Sequence, residues 1–158
     1  MKFYLNDYLK PDPPAVVYSL EVYRTGDELS DTDIYSIHNT LKRYQKRYSY
    51  VSYLLVISRK GYKQLTCGKY KEIKVARHVH IAAIGGIEES AYQYMKAVKK
   101  AVNKRFRKKA SKIVSHGKGQ DAIYYINYCF DQAEHYRTGG KFDFRQYRDN
   151  PLYCKNLS

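Results

Sequence analysis

The sequence predicts an α+β protein: an antiparallel sheet of about five strands with helices on its faces. Three observations carry this. Apolar runs of strand length alternate with longer stretches of helical periodicity, in the order β-α-β-(β)-β-α-β-α. The connection 59–77 shows no crossover-helix pattern, so the strands it joins are expected to be antiparallel. The length, 158 residues, suits one domain with a single sheet. The element order is that of ferredoxin-like and RRM-like sheets.

Residues 1–14 read as an arm closed by Pro11, Pro13 and Pro14, followed by a domain over 15–140 and a polar, aromatic tail over 141–158. Val16–Arg24 is β-branched and aromatic and predicts a strand. A polar turn, Thr25–Ser30, leads to a helix capped by Asp31 or Thr32 and running to about Tyr48, with Ile34, Ile37 and Leu41 at helical spacing. Tyr50–Ser58 is a buried strand. The basic stretch 62–77 contains a turn at Gly68 and a short strand at 73–76. His78–Gly85 is a strand ended by Gly85 and Gly86.

Ile87–Ala110 is the clearest helix. Its stripe is Ala91, Tyr94, Met95, Val98 and Val102, with acids at its start and Lys and Arg at its end. Ser111–Ser115 predicts a short strand and 116–119 a loop. Gln120–Tyr136 predicts a last helix, stopped by Thr138, Gly139 and Gly140.

Composition narrows the function. Twenty-nine Lys and Arg oppose 15 Asp and Glu, a net charge of +14, and 19 tyrosines accompany no tryptophan. Cations for phosphates and flat rings for bases suit single-stranded nucleic acid. Lys99, Lys100, Lys104, Arg105, Arg107, Lys108, Lys109 and Lys112 crowd one helix and its exit. Lys42, Arg43, Lys46 and Arg47 crowd another. Of these, Lys42, Arg43, Lys46, Arg47, Lys104, Arg105 and Lys108 are the expected phosphate contacts. The apolar content, 44%, excludes a wholly disordered chain. No apolar run reaches the ~20 residues of a membrane span, and no membrane partner is expected. Cys67, Cys129 and Cys154 form no C-x-x-C pair, which argues against a disulfide framework or zinc ribbon and for an intracellular, cytoplasmic setting.

One constellation carries chemistry. His78 and His80 are two apart on a strand, so both imidazoles leave the same face. Two neutral imidazoles so placed can share a divalent cation. On the last helix, Ala122, Ile123, Ile126, Cys129, Phe130 and Ala133 form a core stripe, while Tyr124, Tyr128 and Gln132 follow at i, i+4 and i+8 as a polar stripe beside it. Such a border is where a helix meets the rim of a site, here presenting a phenol beside a metal. Tyr124, Tyr125 and Tyr128 are all open as nucleophiles at this point.

A hydrophobic strand, the strand His78-Val79-His80, a helix and a tyrosine helix resemble, over about residues 16–136, the HUH endonuclease superfamily. That superfamily contains rolling-circle replication initiators, conjugative relaxases and small single-domain tyrosine transposases. His78-Val79-His80 matches the HUH motif. Tyr124, Tyr128 and Asp131 resemble the Y-x-x-x-Y-x-x-K of two-tyrosine initiators, with Asp131 where the lysine would be. Tyr128 and Gln132 resemble the Y-x-x-x-Q of the small transposases.

The resemblance implies an HUH nuclease fold and metal-dependent nicking and joining of single-stranded or hairpin DNA through a 5′-phosphotyrosine. It implies Tyr128 as nucleophile with Tyr124 second, and His78, His80 and Gln132 as metal ligands. Asp131, Glu21 and His135 are alternatives for the third. The donor set suits Mg²⁺ or Mn²⁺. The expected role is initiation of rolling-circle replication of a phage, virus or plasmid, by a monomer or homodimer that borrows a host helicase and polymerase. A transposase is the alternative, and a non-catalytic nucleic-acid-binding module the second.

Overall fold

A computed structural model describes residues 16–85, 88–106, 110–117 and 119–148. The expected arm, Lys108 and the end of the tail lie outside the described residues. Along the chain run β1 (Val17–Val22), α1 (Asp31–Arg47), β2 (Val51–Gln64), a 3₁₀ turn (Thr66–Gly68), β3 (Tyr70–Gly85), α2 (Glu88–Phe106), β4 (Val114–Ser115), α3 (Gln120–Gln132), β5 (His135–Gly139) and the short α4 (Arg145–Arg148). The sheet has the order β4-β1-β3-β2-β5, and all its pairings are antiparallel. The first four strands reproduce the ferredoxin-like order, and β5 extends the sheet past β2.

Strand alternation divides the apolar residues between two cores. Leu20, Val22, Leu55, Val79 and Ile81 face Ile34, Ile37 and Leu41 of α1 and Ala91, Met95, Val98 and Val102 of α2. Val17, Leu54, Val56, Ala82 and Ile84 face Ala122, Ile123, Ile126 and Cys129 of α3. Phe144 and Tyr147, from the segment expected to be a tail, are buried in this second core. His78 and His80 share the second face with Ala82 and Ile84.

Several elements differ from expectation. The cap of α1 is Ser30: its hydroxyl accepts from the Asp33 amide and the Asp33 carboxylate accepts from the Ser30 amide. This capping box satisfies two helix-end donors at once. The basic stretch 62–77 is the outer half of two long strands, paired from Lys60 with Lys74 to Gln64 with Tyr70 beyond a bulge at Ser58/Lys60. Gly68, at φ 73°, makes the tip turn as expected.

The last helix ends at Gln132 rather than Tyr136. Ala133 is extended, and the Glu134 amide donates to the Ile57 carbonyl. The chain then runs antiparallel to β2 as β5. Ala110, expected as the end of α2, instead bridges to Val22. The following strand shrinks to Val114–Ser115.

Candidate active site

β3 lies at the centre of the sheet, so His80 is held by strands on both sides and His78 by β2. His80 stands opposite Glu21 of β1 and Val56 of β2, and His78 opposite Ser58. Both histidines are buried. The His78 Nδ1 lies 2.9 Å from the Ala76 carbonyl. A carbonyl only accepts, so this nitrogen carries the proton and Nε2 keeps its lone pair. That Nε2 is 3.1 Å from His80 Nε2.

Burial, then the electrostatic effect of the adjacent His78 ring, lowers the His80 pKa to about 4, with the Gln132 amide opposing the shift. His80 is therefore neutral at physiological pH, the form that binds metals.

The Glu21 carboxylate completes a cluster with the two imidazoles, their ligand atoms all within 4.8 Å of one another. Gln132 comes to the same place from α3. It is 1% exposed. Its Nε2 donates to the Tyr128 hydroxyl at 2.6 Å, while its Oε1 is buried with no hydrogen-bond partner. An orphaned buried carbonyl oxygen is costly unless something electropositive meets it. Two neutral imidazoles, a carboxylate and an amide oxygen fit a divalent cation such as Mg²⁺ or Mn²⁺. The spacing of the two nitrogens is close to the ~3 Å between cis ligands held at ~2.1 Å bonds.

Tyr128 is the tyrosine joined to this group. Its ring is 6.2 Å from that of His80, nearly perpendicular to it, and it also neighbours Tyr62 and Tyr125. Tyr124 lies one turn earlier on α3, half-buried. Tyr125 serves packing. It stacks on His116 at 3.6 Å, and burial, then Cys129, raises its pKa well above that of an ordinary phenol. His116 in turn meets the Ser19 hydroxyl at 2.6 Å.

The alternative ligands separate. Glu21 is in place. Asp131 instead accepts from the Tyr62 hydroxyl at 2.6 Å. His135 is exposed and pairs with Ile57, on the opposite face, where it lines a groove with His38 and Arg137. Glu21 is reached only through the β1–β3 register, which no local pattern in the sequence encodes. Tyr62 was missed because its segment carries too many lysines to read as a strand.

The expected phosphate contacts lie elsewhere. Lys42, Arg43, Lys46, Arg47, Lys104 and Arg105 are all exposed, on the two helices that cover the other face of the sheet. Arg43, Arg47, Lys100, Lys104 and Arg105 line a groove of about 970 Å³ between α1 and α2. The structure thus separates them from the histidine–tyrosine cluster by the thickness of the sheet.

No family model and no curated protein matches the chain. Among solved structures, one described as "The crystal structure of AtUAH in complex with glyoxylate" aligns with 91% of this chain and 35% of that chain, at 7% identity and a TM-score of 0.38. A likeness that distant carries no argument about fold or function.

Proposed function

We propose that the protein is an HUH-type nuclease that nicks and joins single-stranded DNA through Tyr128, to initiate rolling-circle replication of a phage, virus or plasmid. One observation carries the reading. Gln132 donates to the Tyr128 hydroxyl with one end of its amide and leaves the other unpartnered, beside two buried imidazoles and a carboxylate. A nucleophile and a cation-ready donor set are thereby coupled through one side chain. A phenol attacks poorly unless its developing charge is stabilised and its oxygen aimed. The Gln132 N–H supplies both at Tyr128.

In the proposed step the Tyr128 oxygen bonds to phosphorus and the bond to the 3′-oxygen breaks. The phenolic proton passes to that leaving oxygen by way of solvent. One phosphodiester replaces another, so strand joining is the same step reversed. A divalent cation held by His78, His80, Glu21 and Gln132 would polarise the non-bridging phosphate oxygens. Arg43, Arg47, Lys104 and Arg105, on the far face of the sheet, would hold DNA away from the cut strand, with Lys42 and Lys46 adding field. Host helicase and polymerase would act after the nick.

The Tyr128–Gln132 contact also favours a second reading, a single-domain HUH transposase acting as a homodimer. That reading requires joining of two element ends, whereas an initiator acts at one origin.

The test is a denaturing gel of the protein with labelled single-stranded oligonucleotides and Mn²⁺. A metal-dependent band that survives denaturation and vanishes with Tyr128→Phe and His80→Ala is the expected result. Loss only with Tyr124→Phe would transfer the nucleophile. Salt-sensitive binding without any adduct would leave a non-catalytic nucleic-acid-binding module.

A further inference from the structure

β5 widens the sheet by one strand past β2. Its residues His135 and Arg137 stand beside Ile57 and Leu55, on the face that α1 covers. Between β5 and α1 lies a cavity of about 360 Å³, on the side of the sheet away from His78 and His80. That is the size of a small-molecule pocket. Leu55 and Ile57 form an apolar floor, Ile34 a wall, and Tyr35, 69% exposed, presents an aromatic ring at the rim.

The two ends of the cavity differ in charge. At one end Arg59 is held by Glu134 at 2.8 Å and Arg77 by Asp31 at 2.8 Å. Guanidinium and carboxylate lie side by side there, so donors and acceptors are both present. At the other end are Arg137 and His38. Arg137 is exposed and gives one N–H to the Tyr136 carbonyl. Among the described residues it meets no carboxylate. From Leu55, opposite Arg137, to Arg59 is four residues of strand, about 13 Å.

His38 is set as a hydrogen-bond donor. Its Nε2 lies 3.0 Å from the Tyr53 hydroxyl. Tyr53 is 1% exposed, and burial raises its pKa, so the phenol keeps its proton. Among the described residues His38 is the only hydrogen-bond partner of that hydroxyl, and a buried O–H requires an acceptor. Tyr53 therefore donates to Nε2, which places the ring proton on His38 Nδ1. That N–H has no acceptor among the described residues. Burial, then Lys42 and Arg137, holds the His38 pKa below its ordinary value. A neutral imidazole thus stands in the field of two cations.

We propose that this cavity binds a nucleoside monophosphate group, its phosphate at Arg137 and His38 Nδ1 and its base over Leu55 and Ile57 against Tyr35. A phosphate accepts at once from a guanidinium fork and an imidazole N–H. A base needs an apolar bed and a ring to stack on. Its edge carries both donors and acceptors, which the Arg59–Glu134 pair complements. The group has two sources, a free nucleotide or the 5′-phosphorylated end of a strand. The sheet lies between this cavity and His80, so the proposal stands whether or not the chain cuts DNA.

The experiment is equilibrium dialysis of the full chain with labelled dAMP near physiological salt. EDTA is present, which keeps the nucleotide off any cation at His78 and His80. The wild type is compared with Arg137→Gln and Tyr35→Ala, both at exposed positions, and with Lys96→Gln, an exposed lysine outside the cavity. Arg137→Gln should weaken dAMP about tenfold or more, and Tyr35→Ala about fivefold. Lys96→Gln should change it less than twofold. Inorganic phosphate and deoxyadenosine should each compete at least about tenfold more weakly than dAMP, because each fills one end only.

A short oligonucleotide with a 5′-phosphate, set against its 5′-hydroxyl twin as competitor, names the source. An advantage of the phosphorylated form that Arg137→Gln removes assigns the strand end. Equal competition by the two assigns the free nucleotide. Absence of dAMP binding to the wild type, wild-type affinity in Arg137→Gln or Tyr35→Ala, an equal loss in Lys96→Gln, or inorganic phosphate competing as well as dAMP would each overturn the proposal.

Discussion

The Nε2 atoms of His78 and His80 stand 3.1 Å apart on the central strand, with the Glu21 carboxylate across the register. Two ring nitrogens at this spacing share one proton or one cation. Mn²⁺ in excess should therefore stabilise the protein, by about 2.7 kcal/mol when its concentration is 100 times Kd. Thermal unfolding with and without Mn²⁺ measures this. His80→Ala should abolish the shift and Glu21→Gln should shrink it. A shift that survives both would move the cation elsewhere.

Gln132 invites a test that separates function from stability. Its Oε1 is buried and unpartnered, a state that costs about 1–3 kcal/mol. Gln132→Leu removes that cost along with the hydrogen bond to Tyr128. The variant should melt at or above the wild-type temperature while adduct formation falls by about 10²-fold or more. A clear loss of stability would make Gln132 a structural residue instead.

How much of this was legible in the sequence depends on which residues are asked. The core stripe of α3 was readable because Ala122, Ile123, Ile126 and Cys129 repeat at helical spacing. The adjacency of His78 and His80 followed from strand alternation alone. β5 was not readable. His135, Arg137 and Thr138 are exposed, so the strand has little apolar pattern, and it is held by pairing with residues some 80 positions earlier. The ribbon made by the outer halves of β2 and β3 was obscured for a similar reason, since a strand wet on both faces shows no alternation of hydropathy. Glu21 required the register of β1 on β3, a long-range fact. The separation of the basic helices from the histidines by the sheet likewise depends on which face each helix covers.

Gly139 illustrates a constraint that local reading assigns wrongly. It reads as a helix stop, yet it lies in β5 opposite Tyr53. A Cβ there would meet the Tyr53 ring and stand 2.7 Å from its hydroxyl. That hydroxyl is 3.0 Å from His38 Nε2. The tyrosine thus covers the glycine and reaches α1. Gly139→Ala should force the ring aside and destabilise the fold by about 1–3 kcal/mol in urea unfolding. A neutral result would mean that the edge strand moves freely.

Asp33 should make stability fall in acid. Burial tends to raise the pKa of its carboxyl, but hydrogen bonds from Arg24 and from Ser30 outweigh burial and hold it below the usual value. The distances are 2.9 Å to Arg24 Nη2 and 2.9 Å to the Ser30 amide. A carboxyl whose folded pKa lies below its unfolded value, about 3.9, favours the folded state fully above that value. The contribution is lost as pH falls through the folded pKa.

Asp33→Ala removes both the capping box and the ion pair, and should cost about 1–2 kcal/mol near pH 7. At a pH low enough to protonate the carboxyl of the folded wild type, the gap between the two proteins should narrow. Urea unfolding of both at the two pH values measures the gap. If it is the same at both, the ionised carboxylate contributes nothing and α1 is held by its packing through Ile34, Ile37 and Leu41 alone.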